Sequence, residues 1–394
     1  MTGVTPTTFA FAPDGRIFVA QKGGRIRIVD ASGNLKPGSY ASIPISSGGL
    51  QGLLGLALDP NFPATPGGPG DPYVYIYYIT GPGSLNYSGT PTPRLSRLTG
   101  SEDKATPNSE KIILEFPTGN AGHNAGGLHF GPDGMLYLGI GDGGTKSNPP
   151  KLNILRGKII RIKPNTANIN SNTPPFYSIP SDNPFAGSSN PNIKKEIWLR
   201  GLRQPWSFTW RPGTNALIVG DVGHATWEEL DVGVPGGIYG YDTHGWEGPC
   251  PRIAPECSAP PAGSGPPASY PDSLEWPIWY YHSPVVSTTT PDAPDPTGTG
   301  KGGGEVAIIG GQFISEGGYP AAYQGKYIFA DFVQGWVHLL TFNSENKVVA
   351  GSEELFDQFP LPKAIACIVR GPDGKIYVGD RAGSTIYKYV FTAP

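Results

Sequence analysis

Phe130-Gly131-Pro132-Asp133-Gly134-Met135-Leu136-Tyr137-Leu138 is one copy of a unit that the chain repeats. Phe11-Ala12-Pro13-Asp14-Gly15-Arg16-Ile17-Phe18-Val19 and Arg370-Gly371-Pro372-Asp373-Gly374-Lys375-Ile376-Tyr377-Val378 are variants of it. Each is an apolar strand, a Pro-Asp-Gly turn and a second strand of alternating apolar side chains, which is hairpin chemistry. Weaker copies lie at 56–60, at 208–213 leading to 217–221, and at 323–331. Six unequally spaced hairpins fit the blades of a propeller better than a solenoid, whose period is tighter. A sandwich would not return to the same hairpin after each insertion, and radial closure leaves only short edges exposed. The expectation is an all-β, six-bladed β-propeller with four-stranded blades, a single domain over 1–394. Loop insertions on one face are expected at about 163–195 and 248–304, which are rich in Pro, Ser, Asn and Gly and lack strand periodicity.

Composition agrees. The 57 glycines and 44 prolines punctuate runs of Val, Ile, Leu, Phe, Tyr and Trp, so they read as turns between strands. Only 15% of residues are charged and the net charge is −3, which gives no basic field for a phosphate backbone and argues against nucleic acid as a partner. No run of 18 apolar residues suggests a transmembrane helix. Cys250 and Cys257 sit in the Pro-rich run Cys-Pro-Arg-Ile-Ala-Pro-Glu-Cys, where a disulfide could close a segment with little core of its own; two unpaired thiols are the alternative. Cys367, in Ala366-Cys367-Ile368-Val369, reads as a small buried hydrophobe. A disulfide implies a secreted protein, periplasmic or extracellular, whose signal peptide is not in this sequence.

The chemistry-bearing stretch is Gly122-His123-Asn124-Ala125-Gly126-Gly127, which leads through the central hairpin to Ile140-Gly141-Asp142-Gly143-Gly144. His123 precedes small residues, so backbone can approach a ligand beside an exposed imidazole. Asp142 falls within reach across the hairpin. A carboxylate on one ring nitrogen fixes the tautomer and leaves the other as a base near neutral pH. A structural His–carboxylate pair that pins the hairpin has the same spacing.

A longer series of motifs resembles one family. Gln51-Gly52-Leu53-Leu54-Gly55-Leu56-Ala57-Leu58-Asp59-Pro60-Asn61-Phe62, the His123 segment, Leu155-Arg156-Gly157-Lys158-Ile159-Ile160-Arg161-Ile162 and Gly201-Leu202-Arg203-Gln204-Pro205-Trp206 follow in order. Gly220-Asp221-Val222-Gly223-His224-Ala225-Thr226-Trp227-Glu228-Glu229-Leu230-Asp231 and Gly236-Gly237-Ile238-Tyr239-Gly240-Tyr241 continue it. The series is similar to the soluble pyrroloquinoline-quinone (PQQ) glucose, sorbosone and aldose sugar dehydrogenases. The resemblance implies an oxidoreductase that oxidises an aldose or related sugar with bound PQQ and Ca2+, passing electrons to an external acceptor. It implies that His123 takes the proton of the anomeric hydroxyl, Asp142 orients and charges His123, and Arg203 stabilises negative charge developing on the quinone. It further implies cofactor contacts from Gln204, Lys363 and Gln51, a calcium ion held by the carbonyls of Gly223 and His224, and a second one at Glu229 and the Tyr239 carbonyl. Glu228 reads as a solvated acidic turn.

Departures from the family pattern accompany the matches. Leu50 stands where a polar residue is usual, Gln204 near an asparagine position, Val333 near a lysine position, and Lys363-Ala364-Ile365-Ala366 where arginines bind quinone carboxylates. Two further functions stand beside the enzyme. One is an extracellular binding module that has lost the quinone and presents its mouth to a glycan or protein. The other is a calcium-dependent lactonase, for which Asp142, Asp221, Asp331 and Asp380 would converge on one metal. A shared fold does not choose among these.

Overall fold

The computed structural model describes residues 1–117, 122–224, 227–241, 275, 277–282, 306–315, 319–360 and 364–391. Six antiparallel sheets succeed one another along the chain. Blade 1 holds β1 (Pro6–Phe11), β2 (Ile17–Gln21), β3 (Arg25–Val29) and β4 (Ala41–Ser42). Blade 2 holds β5 (Leu53–Leu58), β6 (Tyr73–Ile79), β7 (Pro93–Thr99) and β8 (Lys111–Glu115). Blade 3 holds β9 (Ala125–Phe130), β10 (Leu136–Ile140) and β11 (Lys158–Pro164); then come a short helix, α1 (Thr166–Ser171), and β12 (Tyr177–Ser178) and β13 (Ile197–Arg200). Blade 4 holds β14 (Pro205–Trp210), β15 (Leu217–Asp221), β16 (Trp227–Gly233) and β17 (Trp279–His282). Blade 5 holds β18 (Ile308–Phe313), β19 (Tyr327–Asp331), β20 (Trp336–Leu340) and β21 (Glu354–Gln358), and blade 6 β22 (Ile365–Arg370), β23 (Ile376–Asp380) and β24 (Thr385–Lys388).

The innermost strands β1, β5, β9, β14, β18 and β22 touch in that order, and β22 returns to β1. The ring is therefore closed, a six-bladed propeller. Blade 3 has five strands and blade 6 three, which departs from the uniform four expected. The missing edge of blade 6 is covered by the N-terminus: Thr2 bridges Thr385, Val4 N donates to Ser384 O, and Ile386 N donates to Met1 O. The first residues thus pair with the last strand and leave no open edge there.

The Pro-Asp-Gly turns are built alike. Ala12, Gly131 and Gly371 N donate to the carbonyls of Arg16, Met135 and Lys375 at 2.8, 2.9 and 2.8 Å. Asp14, Asp133 and Asp373 Oδ1 accept from the backbone N–H two residues on. Gly15, Gly134 and Gly374 have φ of 84°, 73° and 73°, a left-handed conformation that glycine adopts without a Cβ penalty.

The alternating apolar residues of facing blades form six buried clusters, one for each interface around the ring. Trp206 packs against three of them, and its indole Nε1 donates across the ring to Ala366 O at 2.9 Å. It sits two residues after the site residue Gln204 and ties blade 4 to blade 6. The segment from α1 to β12 leaves blade 3 from the Pro164 end of β11, the face opposite His123. Cys367 is a free, buried thiol; Cys250 and Cys257 lie outside the described residues, as does most of 248–304.

Candidate active site at the channel mouth

His123 precedes β9 at the end of the channel where β10 finishes. A bulge between Leu138 and Ile140 pairs Ile140 with Ala125 and turns the start of β9 toward the mouth. His123 and Ala125 both have positive φ, 45° and 54°. Non-glycine residues held there cost on the order of 1–3 kcal/mol each and persist only where the surroundings enforce them. Gly141 is part of that enforcement, because a Cβ there would lie 2.0 Å from the His123 carbonyl oxygen. Gly143 N donates to the same oxygen at 3.1 Å.

Three side chains form a line. His123 Nδ1 and Asp142 Oδ1 are 2.7 Å apart, and Arg203 Nη2 and His123 Nε2 are also 2.7 Å apart. A guanidinium only donates, so Nε2 is the acceptor and Nδ1–H donates to Asp142. The tautomer is thereby set, with the lone pair on the nitrogen that faces the mouth. Asp142 is fully buried and its Oδ1 also accepts from Gly144 N at 2.7 Å. Behind it, the buried Arg156 donates from Nη1 to Asn124 Oδ1, and its charge acts on Asp142. Asn124 Nδ2 in turn donates to Leu50 O.

Arg203 and Gln204 are anchored from blade 4. Their backbone N–H groups donate to Asp221 Oδ2 and Oδ1 at 2.8 and 2.6 Å, and Arg203 Nη1 donates to Val222 O at 2.9 Å. Burial pushes the Asp221 carboxyl up to about 7, against the lowering effect of those two N–H donors. Arg203 Nε and Gln204 Oε1 are buried with no hydrogen-bond partner, so a donor and an acceptor are left over at the mouth. Those groups fit a polar ring ligand such as the quinone. Gln51 lies in the loop next to Leu50, with its Oε1 accepting from Ser46 Oγ. Leu50 is 45% exposed on the rim. Val333 N and Ala364 N are used by Asp331 and Asp380, and Lys363 lies outside the described residues.

The metal-ligand candidates divide into two places. Gly223 and His224 directly follow Val222 at the mouth, where they can offer only main-chain carbonyls alongside the exposed imidazole of His224. Glu229 and Asp231 lie on one face of β16, opposite Asp221 and Val219 of β15. Both Asp231 oxygens are buried without a hydrogen-bond partner, and Tyr239 and Glu275 are near enough for their charges to interact with it. Burial raises the Asp231 carboxyl far above its ordinary range. That oxygen set fits a hard cation. Among the described residues, no three His, Cys, Asp or Glu side chains converge as a metal cluster.

Glu228 corrects the sequence reading. It is 2% exposed rather than solvated, and its Oε2 accepts from Ile308 N of blade 5 at 2.8 Å. Strand alternation in β16 turns one glutamate of the pair toward each neighbouring blade. The four aspartates proposed to converge are also accounted for. Asp221 binds the N–H groups of Arg203 and Gln204, Asp331 those of Ala307, Val333 and Gln334, and Asp380 those of Ala364 and Gly383, while Asp142 holds His123. Each caps a turn in its own part of the ring, and among the described residues they do not gather into a metal-ligating group. Sequence reasoning gave Asn124, Arg156 and Tyr241 no role. The first two share a motif with named residues, and Tyr241 lies 6.0 Å below the Arg203 guanidinium.

A family model described as Glucose / Sorbosone dehydrogenase matches residues 4–247. The HIPL2 protein of Arabidopsis thaliana is 33% identical over 257 residues, 60% of this chain and 33% of the plant protein. An aldose sugar dehydrogenase of Escherichia coli is 26% identical over 243 residues, 61% of this chain and 60% of that protein. The chain thus spans about a third of one curated relative and less than two thirds of the other. Among solved structures, a putative oxidoreductase (glucose dehydrogenase) from Thermus thermophilus superimposes with a TM-score of 0.67 at 24% identity, covering 96% of this chain and 91% of that one. That likeness establishes the propeller.

Proposed function

The chain belongs to the glucose/sorbosone dehydrogenase family, and from that premise we propose that it oxidises an aldose or related sugar at the anomeric carbon, with bound pyrroloquinoline quinone and calcium. One observation carries the reading: a buried carboxylate, an imidazole in a fixed tautomer and a guanidinium stand in line at the mouth. A structural His–carboxylate pair has no need of a strained backbone that holds the ring at the opening, nor of an arginine on its free nitrogen.

In this proposal the chain's own groups do the following. His123 Nε2 exchanges its contact with Arg203 for the sugar's anomeric hydroxyl and takes that proton. Asp142 holds Nδ1–H and stabilises the imidazolium that results. Arg203, freed from His123 but still held through Val222 O, turns its positive charge to the electron acceptor. Trp206, two residues beyond Gln204, steadies this segment through its bond to Ala366 O of blade 6. What the cofactor pair supplies when bound is a two-electron acceptor polarised by a divalent cation. Arg203 and Gln204 would contact the quinone, with Gln51 and Lys363 as further contacts. The carbonyls of Gly223 and His224 would hold the catalytic calcium, and Glu229 and the Tyr239 carbonyl, joined by Asp231, a structural one.

Among the described residues no helix is long and apolar enough to cross a membrane. A protein exported beyond the cytoplasm, handing electrons to an external acceptor, is the setting that fits the reading. The exposed Leu50 supports a second reading, an apolar rim that presents the mouth to a glycan or protein. Addition of quinone and Ca2+ to the purified protein, followed by dye reduction with a panel of aldoses, decides between them. Sugar-dependent reduction supports the enzyme; no quinone uptake and no reduction support the binding module.

A further inference from the structure

The blades share one register at the mouth. The first residue of the inner strand pairs with a residue at the end of the second strand: Pro6 with Gln21, Leu53 with Tyr78, Ala125 with Ile140, Pro205 with Asp221, Ile308 with Asp331 and Ile365 with Asp380. The next residue in each blade therefore occupies one equivalent place at the mouth end of its blade. Those residues are Lys22, Ile79, Gly141, Val222, Phe332 and Arg381. That place is small or apolar in four blades and cationic in two, and the two are adjacent, blades 1 and 6.

Both cations are held in place by their surroundings. Lys22 Nζ donates to Gly49 O at 2.6 Å and Lys22 O accepts from Leu53 N, in the loop whose Leu50 carbonyl holds Asn124 beside His123. A Cβ on Gly52 would lie 2.7 Å from Lys22 O, so the loop closes tightly on the lysine. Arg381 N donates to Ala364 O, and its guanidinium lies 5.0 Å from the centre of the Phe332 ring. Among the described residues neither cation has a carboxylate within ion-pair distance. Burial, and then the charge of Arg381, hold the Lys22 ammonium below its ordinary range. Two half-buried like charges that lack a counter-ion among the described residues would be balanced by an anion between them.

We infer that Lys22 and Arg381 form a carboxylate receptor on the rim, positioned to take an acid group of the ligand that His123 faces. It occupies blades 1 and 6, beside the stretch where Ala364 and Ala366 stand in place of basic residues. The inference rests on the proposed ligand-binding role of the mouth. Two ligands carry the required chemistry, the quinone with its ring carboxylates and a sugar acid such as a hexuronate.

Binding separates them. The affinities of pyrroloquinoline quinone, by absorbance titration, and of glucuronate and glucose, by calorimetry, are measured for the wild type and for Lys22→Gln, Arg381→Gln and the double variant, at 20 and 300 mM KCl. Each cation removed is expected to weaken the carboxylate ligand roughly 10-fold, and the double variant to flatten its salt dependence. A loss confined to the quinone assigns the receptor to the cofactor, and a loss confined to glucuronate, with glucose unchanged, assigns it to the substrate. Arg381→Lys, which keeps the charge, should restore most of the affinity and so excludes a mere folding defect. Wild-type affinity of the double variant for both acids overturns the receptor while leaving the quinone reading intact. A wild type that binds glucuronate but no quinone overturns that reading alone, and binding of neither overturns both.

Discussion

Asp142→Asn tests the line of three side chains most finely, because it changes charge with almost no change in shape. Asp142 Oδ1 accepts two hydrogen bonds, from His123 Nδ1 and Gly144 N, both at 2.7 Å, and Oδ2 accepts none. If the amide oxygen takes the place of Oδ1, both bonds survive, but a buried NH2 is left without an acceptor. If the amide is turned over, its NH2 opposes Gly144 N–H, and His123 must put its proton on Nε2, opposite the Arg203 donor. In either arrangement the imidazolium formed on proton uptake loses its counter-charge. A positioned base contributes roughly 10²–10⁴-fold, about 3–5 kcal/mol of barrier, and most of that should go. The unsatisfied donor adds about 1–3 kcal/mol of destabilisation, a cost that a domain of this size should tolerate. Turnover with saturating sugar and quinone is measured beside a thermal melt. Turnover within about threefold of wild type, with a lowered melting temperature, would refute the reasoning and leave a hairpin-pinning pair.

Other consequences are open to test. Arg203→Lys should lower turnover by at least 10-fold in the same assay, since one ammonium cannot bond Val222 O and also present a planar donor pair to the mouth. His129, edge-on to Phe208, is pushed by burial down to about 4. The unfolded chain protonates at ~6.5, so this group's contribution is full above that pH and is lost as pH falls through 6.5 toward 4. In melts between pH 4 and 7, His129→Phe should therefore show a shallower acid decline than the wild type. If Glu229 and Asp231 hold calcium, chelator should lower the wild-type melting temperature, and Asp231→Asn should abolish that response.

The turns were legible in the sequence because Pro-Asp-Gly carries its own geometry: Asp133 caps Met135 N and Gly134 takes the positive φ whatever surrounds them. His123 and Asp142 were legible as a pair because one hairpin separates them. Arg203 lies 80 residues from His123. Only the packing of successive blades, β14 against β9, brings them together, so no local pattern could pair them. The closure itself, Met1–Val4 on β24, spans nearly the whole chain and leaves no mark in either segment. Glu228 was misread because adjacent acids suggest solvent in one dimension, whereas a strand sends them to opposite faces. Lys22 and Arg381 were invisible for a related reason: their equivalence becomes apparent only once the strand registers of all six blades are aligned.

The central claim is that His123 Nε2 removes the proton from the sugar, and rapid mixing of aldose with the quinone-loaded protein measures that step directly. The fall in oxidised-quinone absorbance is followed for the wild type and for His123→Gln, each shown by titration to be loaded to the same extent. The variant is expected to reduce its quinone 10²–10⁴-fold more slowly, with its melting temperature little changed. Equal rates in the two proteins would contradict the account.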